Sequence, residues 1–142
     1  MLLSDSDGKR STTLNSGAVA PGKGRTGMDR VVAALGHSLA GLAAAYRGEA
    51  AFRQEVWLGI PLAVIAIALP VSALERGLLI ASLLLVLIVE LLNSAVEATV
   101  DRVGLEHHLL SKRAKDIGSA AVLLSLINLA VVWGSVLATR FL

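Results

Sequence analysis

Three carboxylates and an asparagine interrupt an apolar stretch of this chain in the run Glu90-Leu-Leu-Asn93-Ser-Ala-Val-Glu97-Ala-Thr-Val-Asp101. Glu90, Asn93, Glu97 and Asp101 are spaced by three and four residues, which places them on one face of a helix. The 13 uncharged residues Gly77 to Val89 run directly into Glu90. Inserting a carboxylate into hydrocarbon costs roughly 2.5–3.5 kcal/mol even on the lenient scale, so this face must meet a partner, a metal or water. Glu90 and Glu97 lie two turns apart, about 10 Å along the axis. That is too far to share one proton or one metal, so the two carboxylates should have different tasks. Ser94, Ala95 and Ala98 beside them would let another helix approach closely, and a purely structural polar seam is the competing reading.

Two further clusters carry candidate chemistry. Glu49-Ala-Ala-Phe-Arg53-Gln-Glu55 precedes an uncharged run. A divalent ion carrying nucleotide phosphates takes one or two carboxylates plus phosphate oxygens, so Glu49 together with one carboxylate of the central face would suffice. The other cluster is Glu106-His107-His108 followed by Lys112-Arg113-Ala-Lys115-Asp116-Ile-Gly118-Ser119. Its adjacent histidines diverge on a helix and lack H-E-x-x-H spacing, which argues against zinc. Lys115 and Asp116 stand just before the last apolar run, where phosphates could be held. Gly17 to Gly24 matches the start of a phosphate-binding loop, G-x-x-x-x-G-K, but has Gly24 where Ser or Thr must hold magnesium. No apolar strand precedes it, so a basic tail is the better reading.

The elements that must position these groups are helices. The chain has 142 residues, 55% of them hydrophobic, and a mean hydropathy of +0.72. That is too apolar for an ordinary soluble domain. There is no cysteine, hence no disulfide framework or thiolate metal site. Residues 1–27, rich in Ser, Thr, Gly and Asp, read as a disordered cytosolic tail. Leu2 and Leu3 are followed at once by Ser4, Asp5, Ser6 and Asp7, so no signal-peptide core is expected. Met28, Val31, Val32, Leu35, Leu39, Leu42 and Tyr46 share one helical face and predict an amphipathic helix over 28–48 lying in the membrane interface. Three spans are expected at about 52–73, 74–103 and 115–140, with Glu75 and Arg76 in a short turn and a charged loop from Asp101 to Asp116. Pro61 and Pro70 are tolerable within a bundle.

The fold class is therefore an all-α membrane protein, with three transmembrane helices plus the N-terminal interfacial helix. Residues 28–142 form the membrane-embedded domain. Residues 1–55 hold seven Lys and Arg residues and the loop between Asp101 and Asp116 four, whereas the opposite side has only Arg76 and Arg140. This asymmetry predicts a cytosolic N-terminus and a C-terminus across the membrane.

The three runs Glu49 to Glu55, Glu90 to Asp101 and Ala114-Lys-Asp-Ile-Gly-Ser-Ala-Ala121 together resemble the prokaryotic diacylglycerol kinases. The resemblance covers roughly residues 30–140. The first and third runs are more similar to the Gram-negative diacylglycerol kinases than to the undecaprenol kinases of Gram-positive bacteria. It implies a homotrimer with active sites shared between neighbours in the bacterial inner membrane, using magnesium and ATP. By matching positions, Glu90 resembles the catalytic base with Asn93 beside it, and Glu49 and Glu97 the metal-linked carboxylates. Arg30, His37, Glu49, Glu97, Glu106, His108, Lys115 and Asp116 resemble the ATP-binding set. Arg30, Ala34, Ser38, Arg53, Glu55, Glu90, Ser119 and Trp133 resemble positions lining the lipid site. Two positions depart from the pattern: His37 stands where the family often has Tyr, and Gly48 where Asn often precedes the glutamate.

The expected activity is transfer of the ATP γ-phosphoryl group to diacylglycerol, giving phosphatidic acid. The expected partners are ATP, the lipid substrate and the phospholipid bilayer, with no nucleic acid. Two alternatives use the same residues: phosphorylation of a polyprenol such as undecaprenol, and a non-enzymatic oligomer conducting ions along the Glu90–Glu97 face.

Overall fold

The computed structural model describes residues 27–103 and 108–142. The expected tail up to position 26, the glycine-rich run at 17–24, Glu106 and His107 lie outside the described residues. The described residues form four helices and no strand: α1 (Gly27–Gly48), α2 (Ala50–Ala68), α3 (Ala73–Val103) and α4 (Leu109–Phe141). The chain divides into two units, Met1–Leu35 and Gly36–Leu142, and the boundary falls within α1.

In α1, Asp29 in the first turn and Arg47 in the last match the helix dipole. Arginine side chains donate to carbonyls in its last turns, where those of Tyr46 and Arg47 are among the last four and lack helical partners. Arg47 Nε donates to the Ala43 carbonyl at 3.0 Å, and Arg53 Nη1 donates to the carbonyls of Tyr46 at 3.2 Å and Arg47 at 2.9 Å. No residue of α1 is buried, and its apolar stripe is exposed.

Glu49 separates α1 from α2 in an extended conformation (φ −102°, ψ 117°). Pro61 sits inside α2, whereas Pro70 lies beyond its end. A proline disfavours helical geometry in the residue before it, and Leu69, at the helix end, is extended (φ −62°, ψ 139°). The helix thus stops at Ala68, five residues short of the expected 73.

The turn that follows is built by residues of the next helix. Ser72 N donates to Glu75 Oε2 at 2.7 Å, and Glu75 N donates to Ser72 Oγ at 3.2 Å, a reciprocal capping box. Arg76 reaches back to the carbonyls of Ala66 at 3.3 Å and Leu69 at 3.2 Å. Glu75 and Arg76, expected in the turn, instead form the first turn of α3 and fasten α2 to it.

α3 and α4 run antiparallel. Asp101 meets Lys115 at one end, and Glu75 interacts electrostatically with Arg140 at the other. At 1.5 Å per residue their 31 and 33 residues reach about 46 and 50 Å. Both exceed a hydrocarbon core of about 30 Å, so their charged ends project past it. α4 begins at Leu109 rather than near 115, because His108 caps it: Leu110 N donates to His108 Nδ1 at 3.2 Å. Much of the expected charged loop is therefore helix.

Three helices are long and apolar enough to cross a membrane: Ala50–Ala68, Ala73–Arg102 and Leu109–Phe141. Their packing is inverted relative to a soluble bundle. Ser82, Glu90, Ser94 and Ser125 are buried, while Trp57, Leu58, Val64, Leu84, Ile88, Leu92 and Leu124 are exposed. The apolar core is a small cluster of Ala66, Val71, Leu79 and Val136, flanked by Leu69, Ile80, Val132 and Trp133, at the turn end of the bundle.

Candidate active site

The polar face of α3 is directed into the protein. Glu90 is 4% exposed, on a helix whose neighbouring Leu92 is 62% exposed. Its carboxylate interacts electrostatically with those of Glu97 and Glu49, and Glu55 with Glu90. Four carboxylates, two from the start of α2 and two from α3, therefore belong to one charged cluster. Like charges gathered at low dielectric repel one another, and the arrangement calls for compensating cations.

Among the described residues, only part of that compensation is supplied. Asn93 Nδ2 donates to Glu97 Oε1 at 3.0 Å, fixing one carboxylate oxygen. Lys115 Nζ pairs with Asp101 Oδ1 at 2.6 Å across α3 and α4, and also interacts with Glu97. Lys112 Nζ pairs with Asp116 Oδ2 at 2.7 Å along α4. Glu49 makes no side-chain capping bond, so its carboxylate is not spent on the α2 N-terminus. Among the described residues no three His, Asp or Glu side chains converge as a metal cage. Hard oxygen donors in ones and twos are instead what magnesium takes when it arrives with nucleotide phosphates. Glu49 and Glu97 fit that requirement.

Below the cluster lies an apolar cavity of about 110 Å³ between α2, α3 and α4. Leu58, Leu62, Leu83, Val86 and Leu126 line it, with Glu55 as its one charged residue. Glu55 Oε2 is buried without a hydrogen-bond partner among the described residues, as is Asn93 Oδ1. A buried polar atom left unpaired is costly and calls for an explanation. In a cavity that is otherwise hydrocarbon, a carboxylate oxygen is an acceptor for a hydroxyl on an apolar molecule.

The remaining expected site residues are placed as follows. Arg30 and Ala34 belong to the unit Met1–Leu35. His37 and Ser38 are exposed on α1, and Ser119 is exposed on α4. Arg53 is engaged in capping α1, and His108 in capping α4. Trp133 packs against the apolar cluster at the turn end. It lies 15 residues along α4 from Gly118, about 22 Å away, and is not brought to the carboxylates. Conversely, two residues at the site were not assigned to it from sequence. Asp101 is the partner of Lys115, and its place on the Glu90 face was the available signal. Gly118 faces Asn93, a pairing between helices that no spacing along one helix discloses.

The family model described as prokaryotic diacylglycerol kinase matches residues 36–137. A protein named diacylglycerol kinase in Pseudomonas aeruginosa is 58% identical over 118 residues, covering 83% of this chain and 96% of the relative. One of the same name in Escherichia coli is 53% identical over 116 residues, covering 82% of this chain and 95% of the relative.

Proposed function

The chain belongs to the prokaryotic diacylglycerol kinase family, and from that premise we propose that its carboxylate cluster is the phosphoryl-transfer centre. The protein is a multi-pass membrane enzyme that transfers the γ-phosphoryl group of ATP to diacylglycerol. The observation carrying the site assignment is Glu90: a carboxylate 4% exposed, within electrostatic reach of Glu49 and Glu97, beside an apolar cavity holding Glu55.

In the proposed mechanism diacylglycerol enters from the bilayer and ATP from water, and they meet where α3 leaves the hydrocarbon. The primary hydroxyl oxygen attacks the γ-phosphorus as the bond to the ADP oxygen breaks. Glu90 accepts the hydroxyl proton, and the products are phosphatidic acid and ADP. Asn93 holds Glu97 in place, and Lys115 shifts from Asp101 to the incoming phosphates. Glu49 and Glu97 would hold magnesium, which would offset the negative charge of the nucleotide phosphates. Positioning and electrostatics then supply most of the rate, as phosphoryl transfer requires.

The wider setting is part of the same reading. The enzyme works in the bacterial cytoplasmic membrane, with its N-terminus and ATP site cytosolic and its C-terminus outside, following the distribution of Lys and Arg. It assembles as a homotrimer whose neighbouring subunits complete each site. Arg30, His37, Glu106, His108 and Asp116 contribute to ATP binding. Ala34, Ser38, Arg53, Ser119 and Trp133 contribute to the lipid path.

The test is transfer of labelled γ-phosphate by the purified protein to diacylglycerol and to undecaprenol, presented separately in one detergent. Labelled phosphatidic acid as the dominant product supports the reading. Preferential labelling of the polyprenol overturns the substrate.

A further inference from the structure

Gly118 lies in the interior of α4, where glycine is unfavourable relative to alanine. Its neighbour on α3 supplies the reason. A Cβ built at position 118 would collide with Asn93 Oδ1 and stand 3.2 Å from Asn93 Cγ, yet 3.9 Å from Asn93 Cα. The other described helical glycines, including Gly59, Gly77 and Gly134, would meet nothing within 4 Å. The conflict is therefore with the end of one side chain and not with the backbone of α3.

That side chain is the one that orients Glu97. Its Nδ2 donates to Glu97 Oε1 at 3.0 Å, while its Oδ1 is buried without a hydrogen-bond partner among the described residues. No described residue anchors the carboxamide on its acceptor side. Its orientation rests on the bond to Glu97 and on the free space over Gly118. We propose that Gly118 is a positioning residue for phosphoryl transfer: by carrying no side chain, it keeps the Asn93 carboxamide turned so that it fixes the Glu97 carboxylate. The proposal rests on the reading of Glu97 as a magnesium-linked carboxylate. A methyl group at 118 turns the carboxamide away and releases Glu97. Because the terminus of Asn93 yields and the helix backbones do not, assembly survives while nucleotide binding suffers.

The experiment is calorimetric binding of a magnesium-loaded, non-hydrolysable ATP analogue to the full chain in detergent. Melting temperature and oligomer size are recorded for every variant. Removing a residue that orients a metal ligand costs about 10–100-fold in metal affinity, and Gly118→Ala is expected to weaken binding about 10-fold. Asn93→Ala is expected to show a similar loss, and the double variant Asn93→Ala/Gly118→Ala no more than Asn93→Ala alone. Gly134→Ala, the same substitution into open space on the same helix, is expected to bind like the parent. Glu97→Gln in the same titration tests the underlying reading. Normal affinity in Glu97→Gln removes that reading and the inference with it. Weak binding in Glu97→Gln with normal binding in Gly118→Ala, or with additive losses in the double variant, overturns the inference alone. So does loss of assembly in Gly118→Ala that Asn93→Ala does not restore.

Discussion

Replacing Glu97 by glutamine separates charge from shape at the centre of the site. Asn93 Nδ2 donates to Glu97 Oε1 at 3.0 Å, and a glutamine amide oxygen accepts the same bond. The side chain is half-buried, so no large packing change follows. Its repulsion with Glu90 disappears, so the fold loses little. The carboxylate charge available to magnesium is lost outright. Even partners that only orient a metal ligand contribute 10–100-fold to metal affinity, and a ligand's own charge should contribute at least as much. The magnesium concentration for half-maximal turnover should therefore rise by at least about 10-fold, equivalent to about 1.4 kcal/mol. The maximal rate should partly recover at high magnesium. The assay is ADP release with diacylglycerol in mixed micelles across a range of free magnesium, with oligomer size checked in the same detergent. An unchanged magnesium dependence in an intact assembly would refute the metal assignment.

Three other expectations follow from the same structure. The Lys115–Asp101 pair is 39% and 55% exposed, which limits its contribution to less than about 1 kcal/mol. Lys115→Met should thus barely move the melting temperature while raising the KM for ATP at least about 10-fold, and an unaltered KM would remove its phosphate role. Ser72→Ala breaks the capping box at the opposite end and should destabilise by about 0.5–2 kcal/mol with normal turnover; lost turnover in a stable assembly would couple that turn to catalysis. Topology reporters fused at Asp7 and after Leu142 should give opposite signals, and equal signals would contradict the proposed orientation.

The polar face of α3 was legible because charge inside an apolar run is expensive, and its spacing matches the helix period. The three spans were legible for the same reason. The helix ends were not. Hydropathy marks where hydrocarbon stops, whereas a helix continues as long as its backbone bonds are satisfied. His108 and the Lys112–Asp116 pair carry α4 six residues beyond the expected start, and Pro70 stops α2 before its apolar run is over. Pairings between helices were equally hidden: Asp101 with Lys115 and Gly118 with Asn93 depend on the register of α3 against α4. Arg53 illustrates another limit. Its guanidinium sits on the last carbonyls of α1, a capping role that depends on the turn at Glu49 and that spacing along the sequence does not disclose.

The central claim is that the buried Glu90 carboxylate takes the proton from the lipid hydroxyl. Glu90→Gln keeps the size and hydrogen-bonding capacity of a side chain that is 4% exposed but removes its ability to act as a base. Losing a general base costs roughly 10²–10⁴-fold in rate, about 3–5 kcal/mol of transition-state stabilisation. The decisive measurement is single-turnover phosphorylation of diacylglycerol by Glu90→Gln, with ATP-analogue affinity and oligomer size determined on the same sample. A rate lower by about 10²-fold or more is expected, in an intact assembly that still binds nucleotide. A near-normal rate in that assembly would contradict that role for Glu90.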